Sequence, residues 1–380
     1  MKTLLKRLRA KWHSDLTSRL DELIRKYDKL LASKNDNDSS IFNSMAIDDK
    51  ICMYPFNFFG TSVGGNVSPC CTYWCNYYLF GNLFESHHFE DIWNSESARE
   101  FRKSIFDGSY KYCDKMKCLP VYIPKEEIMP YLKLDGTYTK YPSMVKFSHD
   151  YSCNVQCITC RDKLNVCPKE ETIKLDALID SHFIPVLRDA KLVSLDGSGE
   201  LFASSHCRNL IKKIIKTYPD IKFQLHTNGI LCDKKNCEKL ELIDRIDSLL
   251  ISIHAATQEI YSKIVKNGNF EKVMENIRWL SKLKKEGKIN TITLSFVVHV
   301  LNFHEMKKFM EMANDLDVIA SFWHYEPWGG GEADKKYEEY AVFKPAHPEY
   351  KKMAELLKDD IFKSANCYLN GILRNVKVEK

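Results

Sequence analysis

Three thiols stand close together on one short stretch: Cys153, Cys157 and Cys160, spaced C-x3-C-x2-C. Thiolates at that spacing can wrap a cubane iron–sulfur cluster and ligate three of its four irons, leaving the fourth open to a substrate or cofactor. A structural zinc site asks for four protein ligands, and this stretch offers three. Cys167 follows seven residues later, but Pro168 and the charged residues between mark a turn leading away. A second group lies upstream, with Cys52, the pair Cys70 and Cys71, Cys113 and Cys118. These read as one four-thiolate site, Cys52, Cys70 (or Cys71), Cys113 and Cys118, able to hold a second cluster or a zinc ion. Cys75, Cys207, Cys232, Cys237 and Cys367 have no evident cluster partner and read mainly as small buried hydrophobes.

The elements that must hold these thiols follow from periodicity. From residue 141 onward, short apolar runs alternate with helical stretches. Strands are predicted near 144–148, 192–196, 222–226, 249–254, 293–299 and 319–324, with helices over 175–189, 209–217, 270–285 and 305–316. Repeated strand–helix units with such crossovers force a parallel sheet, here an α/β partial (β/α)6 barrel, with chemistry at the C-terminal strand ends. The C-x3-C-x2-C loop follows the first of these strands. His149-Asp150, Asp196-Gly197, His226, His254, His299 and His324 stand at the six strand ends. Four of the ends are histidine, from twelve in the whole chain. A lone histidine there is usually structural, but a ring of them suits substrate binding or proton transfer, so His226, His254, His299 and His324 are candidate substrate ligands. The segment Glu326-Pro327-Trp328-Gly329-Gly330-Gly331-Glu332 reads as a loop able to close over that mouth, or as an ordinary glycine-rich turn.

Residues 46–140 are rich in turns, aromatics and cysteine, with helical period only over 89–106, where a metal staple would supplement a thin core. Residues 1–34 place Leu5, Leu8, Trp12, Leu16, Leu20, Leu23, Tyr27 and Leu30 on one stripe, and the polar run 33–40 ends that helix. Ten Lys or Arg against four acids give this segment +6 of a net +5, so the rest of the chain sums to −1. The stripe packs on the protein itself or self-associates; the alternative is a basic face resting on an anionic membrane or acidic partner. A basic field over the whole chain is absent, which excludes a general nucleic-acid binder. No run reaches a membrane span, and no secretory signal opens the chain. Fourteen cysteines then point to reduced thiols in a cytoplasm. Four segments are expected: 1–40 helix and linker, 46–140 cluster domain, 141–345 barrel, and 346–380 helical tail.

The loop Cys153-x3-Cys157-x2-Cys160 resembles the signature of the radical S-adenosylmethionine (radical SAM) superfamily, and the resemblance runs over roughly 143–325. Thr159 stands where that family usually has an aromatic residue. Gly197-Ser198-Gly199-Glu200 is similar to the family's Gly-Gly-Glu stretch, Thr227-Asn228-Gly229 to its Thr-Asn-Gly element, and Ser252 to its cofactor-contacting serine. Glu259, Tyr261, Asn269-Phe270 and Val273 fit its next helix. The resemblance implies S-adenosylmethionine bound to a 4Fe-4S cluster on Cys153, Cys157 and Cys160. Gly197, Ser198, Gly199, Glu200, Asn228 and Ser252 would seat the cofactor, with Glu200 accepting from its ammonium. Cleavage by one electron would give a deoxyadenosyl radical that abstracts hydrogen from substrate.

Residues 52–118 resemble a SPASM/twitch auxiliary cluster domain through Cys52, Pro55-Phe56, Gly65-Asn66-Val67-Ser68-Pro69-Cys70-Cys71, Gly81-Asn82-Leu83, Trp93-Asn94-Ser95, Arg99, Arg102, Cys113 and Cys118. Such a domain normally follows the barrel; here it precedes it, and its last cysteine pair is spaced x4, not x2. The implied complement is two 4Fe-4S clusters. The implied activity is hydrogen abstraction from an unactivated C–H of a small, sugar-like substrate (epimerisation or dehydrogenation), with an external electron donor of flavodoxin or ferredoxin type. The alternatives are a peptide-modifying maturase and, from another class, a zinc-stapled binding protein or metal-dependent hydrolase. Inversion at carbon needs a hydrogen-atom donor, and Cys232 is the candidate thiol.

Overall fold

The computed structural model describes residues 49–376, except 73, 116–117, 119, 197, 328–330, 332, 372 and 374–375. The expected N-terminal helix and linker, Gly197 and most of the glycine-rich loop lie outside the described residues. The cysteine-rich segment supplies β1 (Lys50–Cys52), β2 (Phe58–Thr61), β3 (Asn66–Ser68), β4 (Gly81–Asn82) and β5 (Tyr122–Pro124). Then come β6 (Met144–Phe147), β7 (Gln156–Cys157), β8 (Leu192–Leu195), β9 (Lys222–Thr227) and β10 (Ile246–Ser252). The last are β11 (Val265–Lys266), β12 (Thr291–Val298), β13 (Ile319–His324) and β14 (Cys367–Leu369).

Ten of these strands form one sheet, in the order β14-β13-β12-β10-β9-β8-β6-β2-β3-β4. The six strands expected from periodicity are β6, β8, β9, β10, β12 and β13, and all pair in parallel as an open partial barrel. Alternation explains their two faces. In β9, Phe223, Leu225 and Thr227 are buried toward the helices, whereas Lys222, Gln224 and His226 turn to the barrel interior. The crossover helices Ser205–Thr217, Phe270–Lys285 and Met306–Asp315 bury one apolar face each, through residues such as Ile211, Ile277 and Phe309.

The departures from expectation have local causes. The helix expected over 175–189 is broken into Lys169–Ala177, a π-turn Ile179–Phe183 and a 3-10 turn Pro185–Leu187, the last break falling where Pro185 has no N–H to continue the ladder. The helical stretch 89–106 is two helices, Phe89–Trp93 and Glu96–Phe106, divided where the Ser95 hydroxyl accepts from the Ala98 N–H at 3.1 Å. The tail contains the helix Tyr350–Leu356 but also β14, a parallel edge strand on β13, secured by the Asn370 amide donating to Ser321 Oγ at 2.9 Å.

The cysteine-rich segment has an aromatic core of Phe56, Phe59, Phe80, Trp93 and Phe101, all buried. Within it the fully buried Arg102 lies 4.3 Å over the Trp93 ring and donates to Pro55 O at 2.9 Å and Asn94 Oδ1 at 3.0 Å. Burial holds its pKa down, to about 9. This segment does not stand apart. β2 runs parallel to β6, with Phe59 opposite Val145, so its hairpin strands extend the barrel sheet.

Candidate active site

The C-x3-C-x2-C loop leaves β6 at its C-terminal end and is gripped from several sides. The Asp150 carboxylate accepts from the Ser152 N–H at 2.7 Å and the Ser204 hydroxyl at 2.6 Å. The Cys153 N–H donates to Asn165 O at 2.9 Å. β7, which contains Cys157, pairs antiparallel with β11, placing Cys157 opposite Val265. Two glycines let other loops approach the loop's backbone. A Cβ on Gly199 would lie 2.5 Å from Ser152 O, and one on Gly331 would lie 2.4 Å from Ile158 O. The second contact brings the described end of the loop after β13 onto the thiol loop, where the Ala333 N–H also donates to Ile158 O at 3.0 Å.

Within this loop the three thiols feel one another, and burial pushes Cys157 up to about 12 and raises Cys153. Half-buried thiols that disfavour ionisation alone become good ligands once a cationic centre shares the space. The Arg161 guanidinium lies 3.3 and 3.4 Å from Cys160 Sγ and also donates to Tyr151 O and Ser198 O, both at 3.1 Å. Cys167 takes no part: its N–H donates to Ser152 Oγ, and it is buried toward Asp150 and Glu171. Three thiols on one loop, a cation on one sulfur and two glycine cradles fit a cubane cluster with one open iron. Among the described residues no three His, Cys, Asp or Glu are arranged to hold a single metal ion. A cubane gives each thiolate its own iron and needs no convergence on a single ion.

The residues expected to seat a cofactor divide. The Asn228 amide lies 3.8 Å from Cys153 Sγ and donates to Asn154 Oδ1 at 2.8 Å, at the edge of the thiol site. Ser198 donates to Ser148 O at 2.6 Å, beside the same loop. Ser252 meets His226 Nε2 at 2.9 Å on the barrel interior. Glu200 is different. Its carboxylate is buried and receives the Thr227 hydroxyl at 2.8 Å, the Asn228 N–H at 2.7 Å and the Phe202 N–H at 3.3 Å. Burial raises its pKa to about 7. In this arrangement it ties two strand-end loops together while leaving acceptor capacity on the carboxylate, which has about four lone-pair positions.

The strand-end histidines do not form one ring. His226 is half-buried on the interior wall. His254 has a left-handed backbone (φ 58°), and its Nδ1 accepts from the Val297 N–H at 3.1 Å; burial lowers its pKa to about 4. His299 is fully buried between Tyr325 and Tyr340, with its Nδ1 accepting from the Leu301 N–H at 3.2 Å and its Nε2 unpartnered; its pKa is lowered to about 3. His324 pairs with Glu326 at 2.8 Å on the rim. His149 joins a separate buried chain: it meets Thr61 Oγ1 at 2.8 Å and His206 Nε2 at 2.9 Å, and His206 Nδ1 meets Asp176 at 2.6 Å. Cys232 is wholly buried with its sulfur 4.0 Å from that of Cys237. With zero exposure its thiol reaches no open space, so as a hydrogen-atom donor it would have to move.

The upstream thiols converge. β1 pairs with β5, setting Cys52 opposite Tyr122, four residues past Cys118. The Asp114 N–H donates to Trp74 O at 2.8 Å, bringing the Cys113–Cys118 turn against Cys75. Cys70, Cys113 and Cys118 each sense both Cys52 and Cys75, and burial pushes Cys52 to about 11 and Cys113 to about 12. Cys71 is exposed, so Cys70 is the inward member of the pair. Cys75, which spacing alone leaves without a partner, is fully buried in this group, where its thiol lies 3.5 Å from Tyr78 O and 3.7 Å from Thr72 O. Sequence reasoning also missed Arg161, although a basic residue directly after the last cysteine was there to be noticed.

Residues 187–313 match the family model of the radical SAM superfamily, and residues 52–119 match that of an iron–sulfur cluster-binding domain, SPASM. The second match lies N-terminal to the first. The thiol loop at 153–160 precedes the first match, so its place rests on spacing and geometry. Curated relatives include a GTP 3',8-cyclase from Limosilactobacillus fermentum, 24% identical over 55% of this chain and 62% of the relative. Another, from Lactiplantibacillus plantarum, is 25% identical over 52% of this chain and 58% of the relative. The chain thus spans about three fifths of the length of these relatives. Among solved structures, Streptococcus suis SuiB bound to S-adenosylmethionine aligns with 72% of this chain and 61% of its own, at 16% identity and a TM-score of 0.42.

Proposed function

We propose that this chain, in which a SPASM-type iron–sulfur domain precedes a radical SAM domain, abstracts a hydrogen atom from an unactivated C–H of a small polar substrate held in the barrel. The observation that carries the reading is the three-thiol loop fixed at the mouth of a barrel whose inner wall is polar. Cys153, Cys157 and Cys160 would hold a cluster that, when bound, would supply the electron for reductive cleavage of S-adenosylmethionine. The protein's own part is positional. Arg161 offsets charge on Cys160, Asn228 and Ser198 border the open side of the thiols, and Ser252 with His226 faces the space below. The thiols around Cys52, Cys70, Cys113 and Cys118 suit a second cluster that anchors substrate or accepts an electron, leading to epimerisation or to dehydrogenation. An external one-electron donor in a cytoplasmic setting completes the scheme.

The names of the relatives favour a second reading, in which the small polar substrate is a guanine nucleotide. The test of the shared chemistry is direct. After anaerobic reconstitution, the wild type should hold about eight irons and release deoxyadenosine under reduction, and Cys157→Ala should keep about four irons and release none. Undiminished deoxyadenosine from that variant would falsify the reading.

A further inference from the structure

The strand register fixes which side chains share the barrel interior. Lys146 on β6, the residue after β8 (Asp196), His226 on β9 and Ser252 on β10 lie on the face opposite the buried Val145, Leu195, Leu225 and Ile251. On the same face, β10, β12, β13 and β14 align Ser252, Ser295, Ser321 and Tyr368. Trp323 belongs to it too, since its indole N–H donates to Ser321 Oγ at 3.0 Å, two residues away. The wall therefore has two halves. One is polar: Lys146 pairs with Asp196 Oδ2 at 3.1 Å, and His226 meets Ser252. The other is aromatic: Trp323 is 46% exposed and Tyr368 is 39% exposed, although both sit within a continuous sheet.

Two details say what such a wall is short of. Asp196 Oδ1 is buried and has no hydrogen-bond partner, so an acceptor waits there for a donor. The charge of Lys146 is already balanced by Asp196, so this wall offers an anion little net attraction. A group that both donates and accepts at one atom, a hydroxyl, satisfies Asp196 and Lys146 together. A ring with an apolar C–H face suits the exposed indole across the sheet. We infer that the interior wall formed by Lys146, Asp196, His226, Ser252, Trp323 and Tyr368 binds a neutral polyhydroxylated ring, a sugar or cyclitol, with its hydroxyls on Asp196 and Lys146 and its apolar face on Trp323. This rests on the hydrogen-abstraction reading for its purpose but on the wall alone for its binding.

The test separates the two. Saturation-transfer NMR on the reconstituted full chain with S-adenosylmethionine, using myo-inositol, glucose, N-acetylglucosamine, GTP and a tripeptide as probes, reads binding without turnover. The expected result is ring-proton signals from at least one neutral polyol, with affinity reduced about tenfold in Asp196→Asn and in Trp323→Ala and largely retained in Trp323→Phe. Binding of GTP or the tripeptide with none from the polyols overturns the proposal, as does polyol binding indifferent to all three substitutions. Deoxyadenosine is scored separately on the wild type: its absence with a polyol bound would overturn the radical reading and leave the polyol site standing.

Discussion

Arg161 shows how one side chain can set the properties of a thiol site. Its guanidinium is 3.3 Å from Cys160 Sγ and is held there by two backbone carbonyls, so the charge cannot swing into solvent. A positive charge and N–H donors at a ligand sulfur favour the reduced cluster. Arg161→Met should therefore move the midpoint potential of this cluster downward by on the order of tens of millivolts, read by potentiometric EPR, with Arg161→Lys intermediate. An unchanged potential in the methionine variant would show that the contact is structural only. The cysteines at 153, 157 and 160 were legible as candidate cluster ligands because their spacing alone suggests the chemistry. Arg161 and Cys75 were not, since each acts through a contact that exists only after the chain has turned back on itself. Glu200 was visible as a carboxylate near the thiol loop, but its bonds from Thr227 and Asn228 depend on how two strand ends meet.

Among the elements, the loop after β13 bears on the thiol loop through Gly331, where any side chain would meet Ile158 O at 2.4 Å. Gly331→Val should displace one of these two loops. Iron at the 153–160 site should fall, with the upstream cluster retained, which iron and sulfide analysis against Cys157→Ala would show. Full iron occupancy in Gly331→Val would mean that the contact yields easily. The six barrel strands were readable from sequence because each alternates between a helix-packed face and an interior face. Their ends were less so: β10 begins at Ile246 through a register shift, which apolar spacing does not encode. β14 was read as part of a helical tail because three residues are too few to show a period, and its partner β13 is more than 40 residues away in sequence.

At the scale of the molecule, buried histidines give stability a pH dependence. His149, His206, His254 and His299 are held neutral, their pKa values lowered by burial below the ordinary 6.5. A histidine whose folded pKa is depressed leaves stability intact above pH 6.5 and costs it as pH falls toward the folded value, because only the unfolded chain takes up the proton. For His254 the cost reaches about 3 kcal/mol near pH 4. Urea midpoints of the metal-free chain should fall steadily from pH 7 to 4.5, and less steeply in His299→Phe; a flat profile would show that these rings are reached by water.

The sheet that begins in the upstream hairpin and ends at β14 has a consequence for how the two parts of the chain can move. Because β2 is laddered to β6, the upstream hairpin and the barrel share one backbone lattice, with no hinge at that junction. Bending one against the other would break the backbone hydrogen bonds between β2 and β6, so these two parts move as one piece.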